Sequence, residues 1–205
     1  MKKAIMILCS ILGFAACGQE NKNVNIDYML RGKIYAQTSI HDSTSLGGFG
    51  RSKNLAKKAE RKFLDKNCLL LEIDTTELIT ISEEFNGYQF YIANRTDSII
   101  KLNASDSRLY VVAEVYHEKK WQPIEYLSGS SCGNSYHKVL LKPNEFWEFK
   151  IPKFTGEIPT KIRYRLKTGK DQFIYSNEVS ASFNIGQLSD KIGYKSRGLM
   201  DPYND

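Results

Sequence analysis

From residue 69 onward the chain is built of short strand-like runs, and the alternation of apolar and polar side chains in them restricts the fold more than any other feature. Tyr88, Phe90 and Ile92 alternate with Gln89, Tyr91 and Ala93, and the polar stretch Asn94-Arg95-Thr96-Asp97-Ser98 marks a turn. Further runs follow at 99–102, 108–118, 121–127, 137–142, 146–151, 160–168 and 173–185, separated by stretches rich in Gly, Pro, Asn, Asp and Ser. A period of two places successive side chains on opposite faces of a strand. Short runs of this kind at regular spacing predict an antiparallel sandwich or barrel. No strand-then-helix alternation accompanies them, which argues against a doubly wound nucleotide-binding fold.

The most regular run is 160–168, where Ile162, Tyr164 and Leu166 face one way and Lys161, Arg163, Arg165 and Lys167 the other. Successive charges on that face stand about 6.7 Å apart. Such a ladder could grip a polyanion, but it is also what the wet face of an antiparallel sheet looks like, with Glu148 or Glu178 as partners from neighbouring strands. Lys170-Asp171, just after Gly169, predicts a hairpin turn between the last two strands. Trp121, Trp147, Tyr126 and Tyr136 could line a glycan-binding platform, although aromatic residues in strands first serve a core.

Hydrophobic residues make up 41% of the 205 and aromatic residues 12%, too many for a disordered chain. No apolar run beyond the first twenty residues reaches the ~18 needed to span a bilayer. The formal charge of +6 is concentrated in one place. Residues 51–66 carry seven basic side chains (Arg51, Lys53, Lys57, Lys58, Arg61, Lys62, Lys66) against Glu60 and Asp65. Leu55, Ala59 and Phe63 recur every four residues there without Gly or Pro, which predicts a short amphipathic helix capped by Ser52. Residues 42–50, with Gly47-Gly48-Phe49-Gly50, read as the loop before it. A basic helix could lie on anionic headgroups or simply be solvated on its charged face. The stretch GGFGRSK lacks the Gly-Lys-Ser/Thr ending of a phosphate-binding loop.

The first twenty residues form an address. Lys2 and Lys3 give a positive start, residues 4–14 an apolar core, and Ala15-Ala16 the small residues of a cleavage point. Cys17 and the polar run 18–23 follow. Phe14-Ala15-Ala16-Cys17 resembles the lipobox of bacterial lipoproteins. The resemblance implies a signal peptide over 1–16, a diacylglycerol on the Cys17 sulfur (palmitate being a typical chain) and a tether over 17–27. Two or more acyl chains hold a protein on a membrane stably, so the membrane is the implied partner. Gly18 stands where an inner-membrane retention signal would place Asp, which points to the outer membrane of the envelope.

The segment SGSSCGNSYH, residues 128–137, joins two predicted strands and is where a site would be mounted. Ser131, Cys132, Asn134, Tyr136 and His137 are its candidate ligand-binding residues. Cys132 as nucleophile with His137 as base would need a third, orienting group. A thiolate and an imidazole could also hold a metal, and the arrangement resembles the Cys-loop-His of blue copper proteins. That family requires a Met shortly after the loop His, whereas Lys138-Val139-Leu140-Leu141-Lys142 follow here. The chain has only three histidines, His41, His117 and His137, so any metal site must recruit distant groups; no cofactor is expected. If Cys17 is acylated and Cys9 leaves with the signal, Cys68 and Cys132 remain as an even pair in an oxidising compartment, a candidate disulfide. It would close a loop of about 65 residues, for which chain entropy gives ~4 kcal/mol.

Residues 85–184 resemble a group of uncharacterised bacterial lipoproteins with immunoglobulin-like sandwiches. The matching pieces are Trp121-Gln122-Pro123-Ile124-Glu125-Tyr126, Ser131-Cys132-Gly133-Asn134-Ser135-Tyr136-His137, Thr160-Lys161-Ile162-Arg163 and Tyr175-Ser176-Asn177-Glu178. The expected fold is mainly β, an antiparallel immunoglobulin-like β-sandwich over 68–185, with one short amphipathic helix inside 28–67, after a strand and the Gly-rich loop. Residues 186–205, without apolar periodicity, are expected to form a mobile tail. The expected role is a lipid-anchored, non-enzymatic binding or structural module that meets an envelope protein or a glycan and no nucleic acid. The alternative is a periplasmic metal-binding protein or a Cys/His-dependent enzyme using the 128–137 loop.

Overall fold

Sixteen strands account for most of the described backbone in a computed structural model that describes residues 21–38, 52–59, 67–82, 84–130 and 132–189. In chain order they are β1 (Val24–Asn25), β2 (Leu30–Arg31), β3 (Lys57–Lys58), β4 (Leu69–Ile81), β5 (Phe85–Asn94), β6 (Ile100–Ser105), β7 (Arg108–Leu109) and β8 (Val111–His117). They continue as β9 (Lys120–Pro123), β10 (Glu125–Tyr126), β11 (Tyr136–Leu141), β12 (Glu145–Pro152), β13 (Phe154–Thr155), β14 (Ile158–Gly169), β15 (Gln172–Tyr175) and β16 (Val179–Phe183). The fold is therefore mainly β. Two larger antiparallel sheets dominate, one in the order β3-β12-β5-β4 and one in the order β15-β14-β8-β9, where β16 also pairs with β14. A third sheet, β11-β6-β7, and the parallel pairs β1-β13 and β10-β2 complete it. Among the described residues no helix is long and apolar enough to cross a membrane.

The period-two pattern explains how the sheets share one core. In β5, Phe90 and Ile92 point into the main cluster with Leu71 and Ile73 of β4 and with Trp147, Phe149 and Ile151 of β12. Val111, Ala113 and Val115 of β8 and Ile162, Tyr164 and Leu166 of β14 meet them from the other large sheet. The rings of Phe90 and Tyr164, with centroids 4.9 Å apart, join the two. The opposite face of β5 is covered too: Tyr91 and Ala93 are buried against Phe146, Leu70 and Ala59. The alternation seen in the sequence thus separates two apolar clusters at β5 rather than an inside from an outside. β4 begins with a continuous apolar run, Leu69-Leu70-Leu71, which alternation alone does not mark as a strand.

The predicted hairpin at Lys170-Asp171 forms, with Gly169 opposite Gln172 and Asp171 at φ 55°. Three other expectations are corrected. Residues 21–27 are not a free tether: Lys22 bridges to Phe85 and β1 pairs with β13, because Val24 and Ile26 pack against the core. The predicted basic helix is not formed over 52–59. The Ser52 hydroxyl accepts the Asn54 N–H at 3.0 Å and donates to the Tyr35 carbonyl at 3.2 Å, closing a local turn in place of a helix cap. Lys57-Lys58 then pairs as a strand with Glu145-Phe146. Its remainder at 60–66 and the Gly-rich loop at 42–50 lie outside the described residues.

The third correction concerns the start of the predicted C-terminal tail. Ile185–Leu188 forms a short 3-10 helix capped by Asn184, whose backbone N–H donates to Gln187 Oε1 at 3.0 Å, and Gln187 is fully buried. Asn184 Nδ2 also donates to Asn25 Oδ1 at 2.7 Å and to the Ile26 carbonyl at 2.9 Å, tying the C-terminal segment to the N-terminal one. Residues 190–205 lie outside the described part. The docking requires glycine at 186, whose N–H donates to Asp27 Oδ1 at 2.7 Å; a Cβ there would collide with the Asp27 backbone carbonyl. Gly186→Ala is expected to lower stability by about 1–3 kcal/mol, read as a reduced thermal midpoint; an unchanged midpoint would mean that the contact opens at no cost.

Candidate functional site

The loop between β10 and β11 is held by hydrogen bonds within itself and to Arg108. The buried Arg108 guanidinium donates to Ser128 Oγ at 2.8 Å and to the Ser128 carbonyl. The Tyr136 hydroxyl donates to the Ser130 carbonyl at 2.6 Å and accepts the Ser130 N–H at 3.1 Å. The Ser130 hydroxyl in turn donates to Ser135 Oγ at 2.8 Å and accepts the Cys132 N–H at 3.2 Å. Burial, the neighbouring Tyr136 and, in opposition, Arg108 together push the Tyr110 hydroxyl above its ordinary pKa. Among the described residues of the loop, these bonds engage the hydroxyls of Ser128, Ser130, Ser135 and Tyr136.

His137 Nδ1 lies 3.0 Å from the Ser135 carbonyl, a contact it makes as a donor in the matching tautomer. Cys132 and Asn134 are exposed beside it, and Ser131 lies outside the described residues. Ser130, Tyr136 and Ser135 are brought together, whereas Cys132 and His137 share no hydrogen bond. His117 is on β8, its ring packed edge-on against Phe183 at 5.4 Å, so His117 and His137 belong to different sheets. His41 is outside the described residues. Among the described residues no group of three or more His, Cys, Asp or Glu is placed to hold a metal ion.

Cys68 and Cys132 are both free thiols, the first half-buried and the second exposed. The Cys68 carbonyl accepts the Arg95 N–H at 3.0 Å, and Asn94 Nδ2 reaches the Leu141 carbonyl at 2.9 Å, so Cys68 sits near the Leu141 end of β11. Cys132 sits at the Tyr136 end, its carbonyl accepting the Ser135 N–H at 3.0 Å. The length of β11 separates them, about 17 Å, and a disulfide requires Cα atoms within ~7 Å. The structure does not bring the predicted pair together.

Three of the four cations in the basic ladder on β14 have acidic partners. Lys161 pairs with Glu178 at 2.9 Å, as the sequence suggested, while Glu148 pairs instead with Lys57 at 2.8 Å. Arg163 and Arg165 converge on Glu114, at 3.0 and 3.1 Å, and Glu114 lies directly opposite Arg163 on β8. The Arg163 guanidinium is stacked between the Trp121 and Tyr175 rings, 4.1 and 3.9 Å from their centroids. Trp121 is therefore a packing surface for an arginine. Trp147 is fully buried and Tyr136 bonds within its own loop, so the four aromatics do not form one platform.

A cavity of about 640 Å³ is lined by the N-terminal segment, the β4–β5 hairpin, the end of β12 and Tyr164 in the middle of β14. Ile26, Leu30, Ile34, Ile81, Phe85 and Ile151 contribute apolar walls. Glu125 and Tyr164 also line it, both buried. At Ile124 the backbone divides its bonds: the N–H donates to the Ala113 carbonyl of β8 at 3.0 Å, while the carbonyl turns to β2. The Ile124 carbonyl accepts from Leu30 at 3.1 Å, and Glu125 Oε2 accepts the Ala113 N–H at 2.9 Å, in place of the lost ladder bond. Burial lifts the carboxyl to a pKa of about 7, against the lowering effect of that hydrogen bond. The Tyr164 hydroxyl is buried without a hydrogen-bond partner, and burial, with the nearby Glu125, holds its pKa well above the ordinary value. An unpaired buried hydroxyl costs about 1–3 kcal/mol.

Sequence reasoning missed this site because its walls come from segments far apart in the chain. The one local signal was an acidic residue after Pro123-Ile124 in an otherwise apolar strand end. A ligand-sized, largely apolar cavity with a few polar groups has the features of a small-molecule site. No family model, curated protein or solved structure matches the chain.

Proposed function

We propose that the chain is a lipid-anchored protein of the bacterial cell envelope whose body, an immunoglobulin-like β-sandwich, binds a ligand without catalysing a reaction. The observation that carries the binding reading is the cavity holding Glu125 and the unpaired Tyr164 hydroxyl. Anchoring rests on the ordered sequence of Lys2-Lys3, apolar core, Ala15-Ala16, Cys17 and polar run. Asn21 lies four residues beyond Cys17, at most about 14 Å of chain. Asn21 Nδ2 donates to Thr80 Oγ1 at 2.6 Å and Lys22 bridges to Phe85, so the β4–β5 hairpin is the part of the body nearest the anchor. With Gly18 after Cys17, the outer membrane is the proposed destination.

Cys17→Ser is expected to move the protein from the membrane fraction to the soluble fraction. Unchanged partitioning would remove the anchor. Substrate turnover by the purified protein that is lost in Cys132→Ala or His137→Ala would replace the binding reading with an enzymatic one.

A further inference from the structure

We infer that the cavity between the N-terminal segment and the two large sheets takes a single-chain acyl amphiphile with an anionic head, and that Tyr164 donates a hydrogen bond to that head. This rests on the reading of the body as a binding module and names its ligand class. The volume, about 640 Å³, falls within the ~300–1,000 Å³ of small-molecule sites. Ile26, Leu30 and Ile34 from one side and Ile81, Phe85 and Ile151 from the other make an apolar lining suited to a hydrocarbon chain and offer it little to hydrogen-bond.

Polar recognition is confined to a few groups. The Tyr164 hydroxyl, on a side chain 1% exposed overall, has no partner, and a ligand oxygen is the acceptor that would repay its burial. Glu125 spends one oxygen on the Ala113 N–H and, largely protonated below neutral pH, can donate from its carboxyl to the same head. Among the described residues, three cations line the cavity, Arg31, Lys33 and Lys150, against one carboxyl, Glu125. That balance favours an anionic head over a cationic one. The wall nearest the proposed anchor is the β4–β5 hairpin, so a chain taken from the membrane would have a short path to the site.

The test uses the mature chain from residue 17 with Cys17→Ser, so that no attached lipid or detergent competes; every residue of the core lies between 24 and 188. Fluorescence titration with parinaric acid, a fluorescent fatty acid, is expected to saturate. Tyr164→Phe, which deletes only the unpaired hydroxyl, is expected to weaken binding about tenfold while leaving the thermal midpoint of the empty protein unchanged or higher. Met29→Trp, which puts a large ring on the cavity wall, is expected to abolish binding. Displacement of the probe by palmitate alone identifies a free fatty acid as the ligand, and displacement by lysophosphatidylglycerol a membrane lipid. Either result supports the assignment. Absence of probe binding, wild-type affinity in both variants, or displacement by dodecylamine as effective as by palmitate would overturn it. None of those three outcomes alters the fractionation of Cys17→Ser, so the ligand and the anchor fail separately.

Discussion

Replacing Trp147 by alanine is expected to destabilise the protein by about 3–5 kcal/mol, enough to unfold a domain of ordinary stability. The side chain is fully buried in the middle of β12, within the cluster that joins the two large sheets. It also anchors a segment that has no sheet of its own. The indole N–H donates to the Gln37 carbonyl at 2.9 Å, and the Gln37 N–H donates to the Asn54 carbonyl at 2.8 Å. Alanine would leave a large void and an unpaired carbonyl at once. Trp147→Phe keeps much of the volume and loses the hydrogen bond, so its cost should be clearly smaller. Urea unfolding followed by circular dichroism measures both. A loss below about 1 kcal/mol for Trp147→Ala would mean that β12 does not pack as described.

Glu125→Gln should raise stability in mildly alkaline solution and change little in mildly acidic solution. The carboxyl pKa rises from 4.5 to about 7 on folding, with burial as the leading cause. Between those two values the unfolded chain has released a proton that the folded chain still holds. Stability therefore falls as pH rises through that window and levels off above about 7. At about 1.4 kcal/mol per unit, the wild-type protein loses on the order of 3 kcal/mol across it. Glutamine retains an oxygen to accept the Ala113 N–H and carries no charge, so the variant should lack this slope. The difference between wild type and variant, measured by denaturant midpoints from about pH 4 to pH 8, should thus open with rising pH. Parallel profiles would show that Glu125 is not desolvated in the folded protein.

Both residues show how far the sequence could be read. Trp147 sits in a recognisable strand run and its burial follows from being an aromatic in that run. Its bond to Gln37 depends on a segment 110 residues earlier that carries no strand signal. Glu125 stands out in the sequence only as an acidic residue after Pro123-Ile124, which does not distinguish it from a solvated carboxylate. Its role arises because the Ile124 carbonyl turns from β8 to the Leu30 N–H of β2, which is a long-range choice. Lys161 and Glu178 were legible as partners, while Arg163 and Arg165 find Glu114, a residue of β8 that alternation would equally have assigned to an exposed face.

The basic segment failed for a physical reason of the same kind. Leu55 and Ala59 fit a helical spacing, but intrinsic helix preference amounts to tenths of a kcal/mol per residue. The edge of β12 offers Lys57-Lys58 backbone hydrogen bonds, and Ser52 closes a turn that competes with a helix start. Tertiary pairing outweighs so small a local bias. The 21–27 segment and the first residues of the tail depart from the sequence pattern likewise, since Val24, Ile26 and Gln187 are too sparse to form a periodic pattern and are fixed only by each other's segments.

By itself the sequence determined the antiparallel β character, the positions of most strands and the Lys170-Asp171 hairpin, because these follow from local alternation and turn chemistry. Only the tertiary structure decided that the loop at 128–137 binds itself, that Cys68 and Cys132 stand at opposite ends of β11, and that the N-terminal segment lines a cavity with Glu125 and Tyr164. Those outcomes depend on which distant strands share an edge, and a side-chain period of two carries no information about partners.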